Sequence, residues 1–243
     1  MDKFSLYAGQ FVTFKEYLPS NGNKSCKGSG AALAFRQVYK AVGKETRDLA
    51  EAFWQPPRKS LISGTKPAAA EPQTALLCIP KEKGGPENRL LISFDNESVK
   101  GKIDTENLIK RQPAIAAASG YAYVATASPS HPFDLMEKVQ KGWESKGTAY
   151  IHILCPSPGG WGFDPENTVR LARMAVETRL FPLYEIVDNY YQITIDEPNP
   201  RPLKDYIKRQ KRFAGWKAKK ITDFQNGVNS AFNAMKDKAN RGL

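Results

Sequence analysis

Residues 121–154 read YAYVATASPSHPFDLMEKVQKGWESKGTAYIHIL, and this stretch decides the fold. Tyr121 to Ala127 is rich in residues that favour β-structure, and Ala149 to Leu154 is a second short apolar run. Pro132 to Glu144 lies between them and has apolar residues at helical spacing, namely Phe133, Leu135, Met136 and Val139. Two strands joined through a helix by short connections predict a crossover unit on a parallel sheet with helices on both faces.

The same alternation continues on both sides of this unit. Ala75 to Ile79 and Leu90 to Phe94 predict two further strands, and Tyr190 to Ile195 predicts an edge strand. Helices are predicted for five more segments, which are Ala31 to Val42, Thr105 to Ser119, Asp164 to Thr178, Leu203 to Phe213 and Ala218 to Lys238. The fold class is therefore α/β, with a helical extension at its C-terminal end.

The proline pattern suggests how the chain is divided. Residues 55–74 contain four prolines and no hydrophobic period, so we expect an irregular connection there. We expect one α/β domain over residues 1–216, followed by a basic amphipathic helix over 217–243. The apolar stripe of this last helix suits core packing and could also contact a partner subunit; it consists of Ile221, Phe224, Val228, Ala231, Phe232 and Met235.

Charge and cysteine content limit the function classes. Lys and Arg number 36 against 25 Asp and Glu, which leaves a net charge of +11 that attracts polyanions or acidic proteins. Much of this charge lies between Lys208 and Lys220. No apolar run approaches the roughly 20 residues that cross a bilayer, and three widely spaced cysteines fit no disulfide framework. We therefore expect a cytoplasmic protein without a membrane contact.

Ligands of such sheets collect at the carboxyl ends of the strands, which here means the loops that begin at Asp95, Ser128 and Cys155. His131 lies in the second of these loops and could contact a ligand, whereas His152 is expected to be a hydrogen-bonded core residue. The run Gly28-Ser29-Gly30 precedes a helix and could hold a phosphate, although it lacks the flanking strand and third glycine of the known motif.

Five segments in the correct order resemble the β subunits of the 2-oxoacid:ferredoxin oxidoreductases of the pyruvate synthase type. They are Cys26 to Ala34, Leu90 to Glu97, Gly120 to Pro132, His152 to Asp164 and Pro182 to Glu185. The resemblance covers about two thirds of the chain. It implies a shortened thiamine-diphosphate-binding fold and a place in a hetero-oligomer with α-type, γ-type or genuine β chains, and an acidic ferredoxin is a further partner that would suit the basic charge.

The resemblance also shows what this sequence has lost. The family holds an iron–sulfur cluster with four cysteines, because iron in such clusters is bound by thiolates. Here Cys26 matches the first of them, but Ser29 and Ser157 stand at the second and fourth, and no cysteine lies between residues 27 and 77. Cys155 lies two residues from the fourth position. We expect Cys26 to be a lone remnant and the chain to hold no iron–sulfur cluster.

The thiamine diphosphate site is similarly incomplete. The family binds the pyrophosphate through Mg²⁺ with a Gly-Asp-Gly loop, which this sequence lacks, and with a second string that Asp95, Asn96 and Ser98 match. The Asn-Thr-Gly that follows in the family is replaced here by Val99-Lys100-Gly101-Lys102. We expect Asp95, Asn96 and Ser98 to be vestigial positions, assign no catalytic residue, and expect thiamine diphosphate and Mg²⁺ only in a complex.

Three functions follow from the sequence. The first is an accessory or structural β-like subunit that keeps its assembly surfaces without its cofactors. The second is a subunit that still contributes to thiamine-dependent oxidative decarboxylation within the complex. The third, a basic module that binds nucleic acid through Lys208 to Lys220, is disfavoured because an acidic protein partner explains the charge without a new function.

Overall fold

The computed structural model describes residues 27–42, 74–81, 88–96 and 112–241. Within them the six strands are β1 (Thr74–Pro80), β2 (Arg89–Asp95), β3 (Tyr123–Ala127), β4 (Ala149–Leu154), β5 (Leu183–Val187) and β6 (Tyr190–Ile195). The helices of the same part of the chain are α1 (Gly30–Val42), α2 (Gln112–Ala118), α3 (Pro132–Glu144), α4 (Pro158–Trp161), α5 (Thr168–Glu177), α6 (Leu203–Ile207) and α7 (Ala218–Asn240). Short 3-10 turns cover Pro165–Asn167 and Lys211–Phe213.

The strands form one mixed sheet in the order β1-β2-β4-β3-β5-β6. Strands β2, β4 and β3 are parallel neighbours, while β1, β5 and β6 pair antiparallel with the strands beside them. The α/β class is confirmed, with a parallel centre and antiparallel flanks. Connection length explains two of these antiparallel pairs, because eight residues separate β1 from β2 and two separate β5 from β6, whereas a parallel crossover needs about a dozen or more. Strands β5 and β6 are joined by Asp188 and Asn189 alone, both at positive φ, as in a tight hairpin turn.

The parallel centre places three loops at one edge of the sheet. Asp95 at the end of β2 pairs with Leu154 at the end of β4, and Ala127 at the end of β3 pairs with Ile153. The loops that follow these strands therefore leave the sheet side by side, as predicted from the sequence.

Helices cover both faces of the sheet. Alternate residues of a strand point to opposite faces of the sheet. Ala125 of β3 and its partner Ile151 of β4 point to one face, where they pack in the cluster that contains α1 and α3. Val124 packs on the opposite face in the cluster that contains α2 and part of α7. A third cluster joins α5 and α6 to the first turns of α7 through Phe224 and Val228. The predicted placement of helices on both faces of the sheet is thus confirmed for the described residues.

Two predicted helices differ from the sequence prediction, and the first is the helix predicted from Asp164, which begins with the 3-10 turn Pro165–Asn167 and becomes α-helical only at Thr168. The predicted helix from Leu203 to Phe213 ends at Ile207 and resumes as the 3-10 turn, because the Gln210 side chain folds back and donates to the Tyr206 carbonyl at 2.8 Å. Only Gln112–Ala118 of the predicted helix from Thr105 to Ser119 lies within the described residues as a helix. None of the described helices is both long and apolar enough to span a bilayer.

The apolar stripe of α7 is used within the chain. Phe224, Val228, Phe232 and Met235 are all buried, and α7 lies against β6 and α6. The prediction that this stripe packs in the core is confirmed, and these four side chains are not open to a partner subunit.

Candidate cofactor edge of the sheet

Asp95, the first of the predicted site residues, is fixed at the end of β2 by a buried hydrogen-bond chain. Its carboxylate oxygen Oδ2 lies 3.1 Å from Nε2 of His152 on the neighbouring strand β4, and the other ring nitrogen of His152 lies 3.0 Å from the Tyr150 hydroxyl. His152 also stacks on Phe181, with 5.9 Å between the ring centroids. Burial raises the pKa of Tyr150, so its hydroxyl stays neutral and can donate to the imidazole. His152 is therefore a hydrogen-bonded core residue, as predicted.

Asn96, the second predicted site residue, is held by a tryptophan from the next loop. The indole N–H of Trp161 in α4 donates to the Asn96 carbonyl at 2.6 Å, and Trp161 is fully buried. The Cys155 backbone N–H in turn donates to the Asp95 carbonyl at 2.7 Å. These bonds join the end of β2 and Asn96 to the segment that follows β4. The sequence offered Trp161 only as part of a motif and did not indicate this contact.

The run Gly28-Ser29-Gly30 packs against the loop that follows β4. Gly30 donates its backbone N–H to the Pro156 carbonyl at 2.9 Å, and a Cβ atom at Gly30 would lie 2.6 Å from that same oxygen. A Cβ at Gly28, which has φ +76°, would lie 2.6 Å from Pro165. Both glycines are thus required by close approach of two backbone segments. The Gly30 amide is already bonded, so the arrangement does not fit the phosphate site considered from the sequence.

Ser29 and Ser157, at two positions where the resemblance expects cysteine ligands, act as helix caps. The Ser29 hydroxyl accepts from the Ala32 backbone N–H at 3.3 Å, and the Ser157 hydroxyl accepts from the Gly160 N–H at 3.4 Å. Both serines are buried and lie in the two segments that the Gly30 to Pro156 bond joins. Side-chain oxygens of serine are preferred at such N-terminal positions because they accept from otherwise unbonded helix amides.

Cys155 packs as a small buried thiol. It is fully buried in the cluster beside α1, and its thiol lies 3.5 Å from the Ile153 carbonyl. Cys78 on β1 is partly buried. Cys26 and Ser98, the remaining predicted site residues, lie outside the described residues, as do Lys100 and Lys102.

The loop after β3 carries a chain of three polar side chains. The hydroxyls of Ser128 and Ser130 lie 2.9 Å apart, and the Ser130 hydroxyl lies 3.0 Å from Nδ1 of His131. Burial lowers the pKa of His131 more than the nearby Asp134 raises it, which favours the neutral imidazole. Ser130 is itself buried, so this chain orders the loop and does not expose a nucleophile.

A buried lysine behind this loop was not anticipated from the sequence. Lys138 of α3 is fully buried, and its ammonium group donates to the Thr126 carbonyl, the Asp134 carboxylate and the Thr194 hydroxyl at 2.7 to 2.8 Å. Burial lowers its pKa, and Asp134 opposes that shift. Three acceptors match the three protons of an ammonium group. The spacing of four residues between Asp134 and Lys138 was the available signal, since such pairs face each other on a helix.

The described donors do not fit an iron–sulfur cluster. Such a cluster requires thiolates, whereas Ser29 and Ser157 supply hydroxyls and the thiol of Cys155 packs in the core. Among the described residues, no three His, Cys, Asp or Glu side chains come together as a metal site.

The donors fit a thiamine diphosphate and Mg²⁺ site only in part. Asn96 retains an amide oxygen, the type of ligand that Mg²⁺ prefers, at the buried end of β2. The Asp95 carboxylate beside it is bonded to His152. The sequence contains no Gly-Asp-Gly string, from which the family takes a further carboxylate ligand.

Comparison with known proteins gives named relatives. No protein-family model matches the chain. Pyruvate synthase subunit PorB of Methanothermobacter thermautotrophicus is 32% identical over 253 residues, with 79% of this chain and 88% of the relative covered. Pyruvate synthase subunit PorB of Methanosarcina barkeri is 46% identical over 104 residues, which cover 43% of this chain and 35% of the relative. Ketoisovalerate oxidoreductase subunit VorB of Pyrococcus furiosus is 32% identical over 124 residues, which cover 50% of this chain and 40% of the relative.

Proposed function

Because this chain belongs to the β subunits of the 2-oxoacid:ferredoxin oxidoreductases, we propose that it is an accessory subunit of such a complex. It assembles with α-type, γ-type or genuine β chains and contributes structure without an iron–sulfur cluster of its own. The observation that carries this proposal is the role of Ser29 and Ser157. Hydroxyls that cap helices stand at two of the four positions where the resemblance expects thiolates.

The retained framework supports the same proposal. The contacts from Gly30 to Pro156 and from Trp161 to Asn96 hold the start of α1, the end of β2 and the segment after β4 together. A surface that is already ordered lowers the entropic cost of docking another subunit against this edge.

The lengths of the aligned segments also support it. The alignment with the Methanothermobacter thermautotrophicus relative has 253 positions but takes in 79% of a 243-residue chain. The relative therefore has residues at positions where this chain has gaps. The missing Gly-Asp-Gly string is consistent with such gaps.

A second function is favoured by one observation. Asn96 keeps its amide oxygen at the carboxyl end of β2, the edge at which the ligands of parallel sheets collect, and a neighbouring subunit would supply the remaining ligands. In this case the chain would help to hold thiamine diphosphate and Mg²⁺ at a shared site, with the decarboxylation carried out by the whole complex.

The two functions are separated by purifying the tagged chain from its own host and measuring partners, iron, Mg²⁺ and thiamine diphosphate. An accessory subunit predicts copurified oxidoreductase subunits and a cofactor content that does not change in an Asn96→Ala variant. The shared site predicts that Asn96→Ala lowers the Mg²⁺ and thiamine diphosphate content at least several-fold, while Asn96→Asp, which keeps an oxygen ligand, retains them. Thermal unfolding of each variant shows whether it is folded. Recovery of the chain without any oxidoreductase subunit would contradict both functions.

A further inference from the structure

A groove of about 950 Å³ lies between α4 and the segment that joins α6 to α7. Its floor includes the partly buried apolar side chains of Phe163, Trp216 and Ile221, and its rim carries Lys208, Arg209 and Lys211. We call this surface the basic groove. It is next to the cofactor edge of the sheet, because α4 begins four residues after β4 ends.

The rim charges are available to a ligand. Lys208, Arg209 and Lys211 are exposed, and within the described residues none of them is in an ion pair, unlike Lys141, Arg201 and Lys236 elsewhere. Lys217 and Lys219 extend the positive surface along the start of α7. Asp164 is the acidic residue that lines the groove, so the lining has a positive balance.

The groove is rigid before any ligand arrives. The Lys211 backbone N–H donates to the Gly162 carbonyl at 3.1 Å, and Gly162 has φ +70°, with no room for a Cβ beside Lys211. The Arg212 guanidinium stacks over Trp161 at 3.7 Å and donates to the Tyr206 hydroxyl at 3.0 Å. A fixed groove binds with a smaller entropic cost than one that must be ordered.

The aromatic floor favours a protein segment over nucleic acid. Binding of single-stranded nucleic acid requires ring faces on which bases can stack. Trp216 packs edge-on against Phe213 and Phe224 at centroid distances of 4.9 and 5.5 Å, and the Lys220 ammonium lies 4.3 Å from its ring centroid. Its ring is thus committed to contacts within the chain. The rest of the floor, Phe163 and Ile221, is apolar and partly buried, and it suits an aliphatic or aromatic side chain of a peptide.

We propose that the basic groove binds an acidic segment of another subunit of the same complex, with one apolar side chain of that segment in contact with the floor. This proposal rests on the proposed function, because the occupant is an oxidoreductase subunit. Carboxylates of the segment pair with the rim cations, which steers the encounter and makes it dependent on salt.

The test uses the complex purified through the tagged chain and a carbodiimide crosslinker, which joins amines only to carboxylates in direct contact. We expect crosslinks from Lys208, Lys211 or Lys217 to Asp or Glu residues of one copurified subunit, and their loss at high salt. Lys146 is an exposed lysine next to the amino end of β4 and is the matched control without crosslinks. In reassembly with the same subunit at low salt, Lys208→Glu combined with Arg209→Glu should slow association about tenfold or more, and Lys146→Glu should not.

The other outcomes overturn the proposal in distinguishable ways. If the complex is intact but the groove lysines crosslink to no partner, the docking proposal is refuted, while the accessory role is not. Crosslinks only to carboxylates of this chain show that the groove is filled internally. Copurified nucleic acid that is released by Lys208→Glu with Arg209→Glu assigns the surface to nucleic acid. Recovery without an oxidoreductase subunit overturns both the accessory role and the docking proposal.

Discussion

Replacement of Gly30 by alanine tests whether the run Gly28-Ser29-Gly30 packs tightly against the segment that follows β4. The added Cβ would lie 2.6 Å from both the nitrogen and the carbonyl oxygen of Pro156, atoms that cannot move without the backbone. Overpacking of this kind costs about 1–3 kcal/mol. The hydrogen bond from the Gly30 amide to the Pro156 carbonyl would be strained as well, which adds about 1 kcal/mol. We expect Gly30→Ala to lower the free energy of unfolding by about 2–4 kcal/mol.

Gly159→Ala is the matched control for this measurement. A Cβ at Gly159 meets no heavy atom within 4 Å, so we expect the variant to be neutral or slightly more stable. Urea unfolding followed by circular dichroism gives both values under the same conditions. If Gly30→Ala were as stable as Gly159→Ala, the close packing of the two segments would be refuted, and with it the argument that close approach of the backbones requires a glycine at position 30.

Three further perturbations test the edge of the sheet. Trp161→Phe removes the donor to the Asn96 carbonyl and should cost about 1–3 kcal/mol of unfolding free energy in urea; an unchanged midpoint would contradict the bond. Lys138→Met leaves buried acceptors without their cation and should lower the free energy of unfolding in urea by about 3–5 kcal/mol. The control Lys146→Met changes an exposed lysine and should lower it by less than about 0.5 kcal/mol. Burial lowers the pKa of His131 in the folded state, so the unfolded chain binds more protons as the pH falls below 6.5. As the pH falls through that range, the wild type should therefore lose more unfolding free energy than His131→Gln. Urea unfolding at several pH values between about 5 and 7.5 measures this difference. If the unfolding free energies of the two proteins changed with pH in parallel, the lowered pKa of His131 would be refuted.

The central strands were predictable because each is a short, almost continuous run of apolar residues. Leu90 to Phe94, Tyr121 to Ala127 and Ala149 to Leu154 correspond to β2, β3 and β4, since runs of this length between turn residues suit buried strands. Their ends were predicted to bring Asp95, Ser128 and Cys155 to one edge, and the register confirms it. Strand direction at the flanks was not predictable from hydrophobicity, because the same apolar run fits a parallel or an antiparallel neighbour.

The candidate site was predictable by residue type but not by contact. The motifs indicated that thiolates are replaced by Ser29 and Ser157, yet only the structure shows that both hydroxyls accept from helix amides. Similarly, Asn96 was identified from a string, whereas the Trp161 indole that holds its carbonyl comes from a loop 65 residues away. Contacts between distant segments depend on how the loops pack, and a local pattern does not contain that information.

By itself the sequence determined the α/β class, the set of central strands, the apolar stripe of α7 and the absence of a Gly-Asp-Gly string, since each is a matter of local residue order. The tertiary structure alone decided that Lys138 is buried with three acceptors and that the basic residues after α6 form the rim of a groove. The physical reason is the same in both cases. A charge acquires its energetic role from the groups that surround it, and residues far apart in the chain supply those groups.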